Sequence, residues 1–267
     1  MAYQKPPQIA LGMINAGATK INLPVQDLLL RGALSGAFLG FATSLAVTAA
    51  VQTGMPIVGA IIFPVGFCMI VLLGMELVTG SFAVVPLAVL AKKPGATTGG
   101  VIVNWSWVFL GNLIGSVIYA ALLAIALTMM FTEEANPVGQ KLIAIAEAKT
   151  IKYADHGNAG LVTAFTKAIL CNWMVTLGVV MSMASASTIG KIAAMWLPIL
   201  IFFGQGFEHA VVNMFVIPVG MIMGAEVTMG DWWLWNQIPV TIGNIVGGLF
   251  FTGLAIYITH APKGEST

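Results

Sequence analysis

Apolar residues run almost unbroken through six stretches of this chain, at approximately 28–52, 56–91, 101–131, 159–184, 189–224 and 236–259. A transmembrane helix needs about 20 mostly apolar residues, so each run predicts a crossing of a lipid bilayer. The second and fifth runs are too long for one straight crossing. Each is interrupted near its middle by a polar, glycine-bearing string, GMELVTGS at 74–81 and GQGFEH at 204–209. Broken spans of this kind point to a solute site near the bilayer midplane.

The second half of the chain repeats the first. A shift of 132 residues aligns Gly74 with Gly206, Glu76 with Glu208, Pro86 with Pro218 and Asn104 with Asn236. It also aligns Gly111-Asn112 with Gly243-Asn244 and Gly115 with Gly247. Each copy holds three spans, repeat A over 28–131 and repeat B over 159–259. An odd number of spans makes the second copy enter the membrane from the opposite side. The expected fold is therefore all-α and polytopic, six transmembrane helices in one domain as two inverted three-helix repeats, with helices two and five broken. The breaks then meet near the middle, an arrangement that belongs to pores and transporters. Glycines at four-residue spacing, Gly32, Gly36 and Gly40 among them, predict close helix packing.

Composition agrees with the pattern. The chain of 267 residues is 58% hydrophobic and only 8% charged, where a soluble domain carries roughly 25% charged residues. A net charge of +1 argues against a nucleic-acid footprint. Lys5, Lys20, Arg31, Lys92, Lys93, Lys191 and Lys263 collect on one side of the predicted topology, while Lys141, Lys149 and Lys152 share the 132–158 loop opposite. By the positive-inside tendency both termini are cytoplasmic, in the plasma (inner) membrane. The cytoplasmic segment 1–27 has no apolar run resembling a cleavable signal; its residues 6–22 suit either a short interfacial helix or a loose tail. A short tail, 260–267, follows the last span.

The polar residues inside the spans carry the candidate chemistry. A bare carboxylate in hydrocarbon is costly, so Glu76 and Glu208 must be paired, hydrogen-bonded or protonated. The simplest role for each is to cap the unpartnered N–H groups of the half-helix after the break; a proton relay is the alternative. His209 has no counterpart in the first repeat, where the matching residue is Leu77. An imidazole donates a hydrogen bond when neutral and can gain a proton near physiological pH. Thr79 adds a hydroxyl at the opposing break, and Asn172 and Asn213 add amides. Such a site is rich in donors, which favours an anion over a cation. Phe63 and Phe67 precede the first break and Phe202 and Phe203 the second, placed to form apolar constrictions around a pore.

GFEH at 206–209, NMFVIP at 213–218 and IPVTIGNIVGG at 238–248 resemble the formate/nitrite transporter family. PVGFCMIVLLGMELVTGS at 64–81, NW at 104–105, GNLIG at 111–115 and ILCNWMV at 169–175 extend the likeness over essentially the whole chain. The resemblance implies an aquaporin-like protomer in a homopentamer, each protomer with its own pore for a small monovalent anion such as formate, nitrite or hydrosulfide. It implies that His209 is the central pore histidine and that Thr79, in the loop breaking span two, is its hydrogen-bond partner. Leu77 and Val78 match pore-facing residues of that loop, and Asn172 and Asn213 match pore-lining asparagines. Phe63, Phe67, Val175 and Phe202 fall at constriction positions. Some formate channels carry an aromatic where this chain has Val78. Many members place a lysine shortly before span four, for which Lys149, Lys152 and His156 are the candidates here. GMELVTG and ILCNW look nearer to formate carriers than to nitrite carriers.

A membrane subunit of a redox enzyme is the rival class, but it needs cofactor ligands within the spans. His209 is the one histidine in a span, and Cys68 and Cys171 have no iron–sulfur spacing. No cofactor, no metal and no enzymatic activity are expected. A neutral-solute channel is the second alternative. For an anion, passage through apolar rings is unfavourable as a bare charge, so crossing as the neutral acid, with His209 or a relayed proton involved, is the expected mechanism.

Overall fold

The computed structural model describes residues 3–262; Lys263, counted above for orientation, lies outside them. The described chain is helical nearly throughout. Four helices are long and apolar enough to cross a membrane: Val25–Thr53, Thr98–Leu127, Gly157–Ser182 and the composite Met229–His260. Between them lie shorter apolar helices at the two interrupted runs.

The chain opens with α1 (Pro6–Ile21), started by prolines in its first turn, where a missing N–H costs nothing. The segment is thus an ordered helix rather than a loose tail. It buries Ala10, Met13, Ile14 and Gly17, one stripe at helical spacing. Gly17 lies so close to the Val84 carbonyl that a Cβ would overlap its oxygen. The long α2 (Val25–Thr53) follows and packs along α6 (Thr98–Leu127). That contact is backbone to backbone, because a Cβ on Gly115 would overlap the Ala33 carbonyl.

Between α2 and α6 the second run falls into three pieces, α3 (Pro56–Ile62), α4 (Pro64–Leu72) and α5 (Val78–Leu90). The fifth run falls into α10 (Thr188–Gly204) and α11 (Ala210–Ile222). Both breaks turn on a glycine in the left-handed region, Gly74 at φ 64° and Gly206 at φ 65°. A side chain there would clash with its own backbone, which is why a glycine ends each first half-helix.

Residues 132–158, expected as a loop, fold largely into α7 (Pro137–Lys149) and α8 (Ile151–Asp155). Leu142 and Ala146 of α7 are fully buried, and α7 packs on α11 and α2. Then come α9 (Gly157–Ser182) and, after the second break, the last run. That run contains α12 (Met229–Trp232), α13 (Ile238–Gly248) and α14 (Ala255–His260), joined by π-helical turns at Trp233–Gln237 and Leu249–Leu254.

Candidate functional site

The two breaks are built the same way. Asn112 of α6 accepts from the Val78 N–H at 3.0 Å and donates to the Glu76 and Gly32 carbonyls, both at 2.9 Å. Asn244 of α13 accepts from the Ala210 N–H at 2.8 Å and donates to the Glu208 carbonyl at 3.0 Å and the Ala168 carbonyl at 2.8 Å. Each amide therefore caps the half-helix after its break and ties the break to the helix behind it.

The carboxylates of Glu76 and Glu208 do not cap these helices, contrary to the expectation from sequence. Glu76 pairs with Lys20 of α1 at 2.7 Å, and Glu208 with Lys149 of α7 at 2.8 Å. The reason is chemical: each break presents carbonyls as well as N–H groups, and an ionised carboxylate has no hydrogen to give them. Glu208 further accepts from the Tyr153 hydroxyl and the Asn213 amide, each at 2.8 Å, and from the Asn236 amide at 3.3 Å. Burial, and the Glu208 carboxylate beside it, push the Tyr153 phenol well above its ordinary value, so it stays a donor.

His209 stands immediately before α11, and its Nδ1 accepts from the Val212 N–H at 3.1 Å. A nitrogen that accepts carries no hydrogen, so the neutral ring has its hydrogen on Nε2. Nε2 faces Thr79 Oγ1 at 2.9 Å. The histidine donates in this bond, and the Thr79 hydroxyl hydrogen is left to serve another acceptor. The contact joins one break to the other, with His209 at 2% and Thr79 at 0% exposure. Leu77 fills the slot of His209 in the first half and makes no side-chain cap.

Aromatic rings close round this pair. Phe202 lies against the imidazole with ring centres 5.7 Å apart, and Phe63 stacks on Phe203 at 3.9 Å. Phe63, Phe67, Val78 and Val175 are buried in the same core. A cavity of about 540 Å³ opens on one side, lined by Lys141, Lys152, His156 and Lys167 together with the Lys149–Glu208 pair. Ile145, Lys149 and Gly206 separate it from an inner cavity of about 160 Å³ that reaches Phe202 and His209. On the other side a cavity of about 180 Å³ is lined by Lys20, Phe67, Met75, Leu77 and Gly80. The described residues hold no cluster of metal-ligating side chains.

Not every expected residue meets this path. The Asn172 amide is spent on the Thr79 and Asn244 carbonyls, and that of Asn213 on Glu208 and Asn236. Both asparagines brace the frame, and their hydrogens do not face a solute. Of the three vestibule candidates, Lys149 is committed to Glu208, while Lys152 and His156 line the mouth. Lys20 and Tyr153 were not singled out from sequence. The available signal was the pair of amphipathic segments, 6–21 and 137–149, each lying ahead of a repeat and ending in a lysine or one residue beyond it.

A family model described as formate/nitrite transporter matches residues 7–258. A protein of Bacillus subtilis named an uncharacterized transporter is 36% identical over 100% of this chain and 97% of its own length. A probable formate transporter of Methanothermobacter thermautotrophicus is 37% identical over 98% of this chain and 99% of its own. Among solved structures, a pentameric formate channel with formate bound superposes with a TM-score of 0.71 at 26% identity, covering 88% of this chain and 96% of that one.

Proposed function

The chain belongs to the formate/nitrite transporter family, and from that premise we propose that it is a membrane channel for small monovalent anions, with formate as its solute. Formate is favoured because relatives that match nearly the whole chain bear formate in their names. By the same likeness the working unit is a homopentamer with one pore per protomer, and the distribution of lysines and arginines supports a cytoplasmic side for both termini. The six crossings form two three-helix repeats of opposite direction, supported by the matched bonds of Asn112 and Asn244.

The observation that carries the reading is the buried bond between His209 Nε2 and Thr79 Oγ1, set between the two breaks and behind the aromatic rings. An anion is drawn to the cationic mouth of Lys141, Lys152 and Lys167 by a field that low-dielectric walls strengthen. Phe202, Phe203 and Phe63 then strip its water. The His209 N–H and the Thr79 hydroxyl replace part of the lost hydration. A bare charge in so narrow an apolar passage is unfavourable, so the anion takes up a proton before the narrowest point and crosses as the neutral acid.

Formate flux into proteoliposomes tests this directly. His209→Phe is expected to abolish or sharply change the flux and its pH dependence. Unchanged flux would remove His209 from the pathway, and stronger competition by nitrite than by unlabelled formate would reassign the solute.

A further inference from the structure

The two halves share a polar frame, but around its two glutamates they are furnished unequally. In the second half Asn213 splits its amide between Glu208 and Asn236 Oδ1, each at 2.8 Å, and the Tyr153 hydroxyl serves the other Glu208 oxygen at 2.8 Å. The 132-residue shift puts Ser81 where Asn213 stands and Asn104 where Asn236 stands. Asn104 is held as its counterpart is: its amide donates to the Lys20 carbonyl at 3.0 Å, as Asn236 donates to the Lys149 carbonyl at 2.9 Å. No phenol stands in for Tyr153, since the 22–24 connection reads Asn-Leu-Pro and the Asn22 amide is spent on the Ala18 and Pro94 carbonyls.

Two donors are therefore missing from the first half, and the consequence is visible. Glu76 Oε2, Ser81 Oγ and Asn104 Oδ1 are all buried without a partner among the described residues. Their residues are 3%, 0% and 1% exposed. An orphaned buried oxygen is costly, and three at equivalent places of one frame ask for a shared ligand. A serine carries two heavy atoms fewer than an asparagine, which frees about the space of one water.

We propose that Glu76, Ser81 and Asn104 bind an internal water that stands in for the Asn213 amide and the Tyr153 hydroxyl. It donates to Glu76 Oε2 and Asn104 Oδ1 and accepts from the Ser81 hydroxyl, three bonds, as is typical of buried water. The two ion pairs then differ in kind. Glu208 is clamped by Lys149 and three further donors. Glu76 is held by Lys20 and an exchangeable molecule. The water site stands without any choice of solute.

Ser81→Asn rebuilds the second half's bonds in the first. In a density map that resolves waters, the wild-type protein is expected to show a peak within bonding distance of all three oxygens, and Ser81→Asn to abolish it and raise Tm. Ser81→Ala decides the sign if Ser81→Asn does not assemble: losing a partner of a bound water lowers Tm, whereas deleting an idle hydroxyl raises it. A wild-type map without the peak, or a higher Tm for Ser81→Ala, overturns the water site.

Discussion

Replacing Asn112 or Asn244 by alanine removes the same set of bonds from each half, and the loss can be worked out bond by bond. In Asn244→Ala the Ala210 N–H loses its acceptor at the start of α11, where no carbonyl one turn back can replace it. The Glu208 carbonyl, in the break and outside any helix, loses its donor. The Ala168 carbonyl sits inside α9 and keeps its helical bond. Two orphaned groups at about 1–3 kcal/mol each give roughly 2–6 kcal/mol, before the cavity left by the side chain adds to it. Asn112→Ala orphans the Val78 N–H and the Glu76 carbonyl in the same manner, while Gly32 keeps its place in α2. Both variants orphan the same two kinds of group and are thus expected to fall in the same range of roughly 2–6 kcal/mol. Equilibrium unfolding in mixed detergent micelles, followed by tryptophan fluorescence, measures it. A loss below about 1 kcal/mol in either variant would mean that these amides do not hold the breaks.

Three further outcomes are expected. His209→Asn keeps a good N-cap for α11 but cannot reach Thr79, so formate flux in proteoliposomes falls while Tm holds; retained flux would show that the Thr79 contact is unused. Lys20→Met leaves Glu76 without any donor from the chain, whereas Lys149→Met leaves Glu208 with three. Breaking a buried pair costs about 3–5 kcal/mol, and unfolding in micelles should place Lys20→Met toward the top of that range and Lys149→Met below it. Gly115→Ala forces a methyl into the Ala33 carbonyl and is expected to cost about 1–3 kcal/mol or more, while Gly99→Ala, with only Thr97 Oγ1 at 3.9 Å, is neutral or stabilising; thermal melts of the two compare them directly.

Much of this was legible because it is written in periodicity and in backbone chemistry. The strings GMELVTGS and GQGFEH announce the breaks through glycines, which take the left-handed turn at least cost, and Gly74 and Gly206 take it. The 132-residue shift picked out Asn104, Asn112, Asn236 and Asn244 as matched pairs without revealing what they do. Their work is done across gaps of dozens of residues, and a hydrogen bond depends on side-chain direction, which no linear pattern encodes. The same limit explains the glutamates. Burial of a carboxylate demands a partner, but the sequence does not say whether that partner is a backbone N–H or a lysine on another helix. Lys20 and Tyr153 lie outside the apolar runs, so a search confined to the spans passed over them. Residues 132–158 read as a charged loop because their buried positions, Gly139, Leu142, Ala146, Thr150 and Tyr153, are few and only one of them is a large aliphatic.

The slot shared by Leu77 and His209 shows how a repeated frame makes room for a function. In each half the first N–H after the break is already held by an asparagine from a neighbouring helix, so the residue just before the half-helix is not needed as a cap. Leucine serves there in the first half, and histidine can replace it in the second without loss to the fold. Once present, the imidazole is oriented by its own bond to the Val212 N–H. That bond also limits its chemistry. To hand a proton to an anion and remain neutral, the ring would first have to carry a hydrogen on Nδ1 as well as on Nε2. A hydrogen on Nδ1 would point at the Val212 N–H and break the bond that aims the ring. His209 is therefore built to donate a hydrogen bond from a fixed direction, and not to hand over a proton of its own while the bond to Val212 is kept.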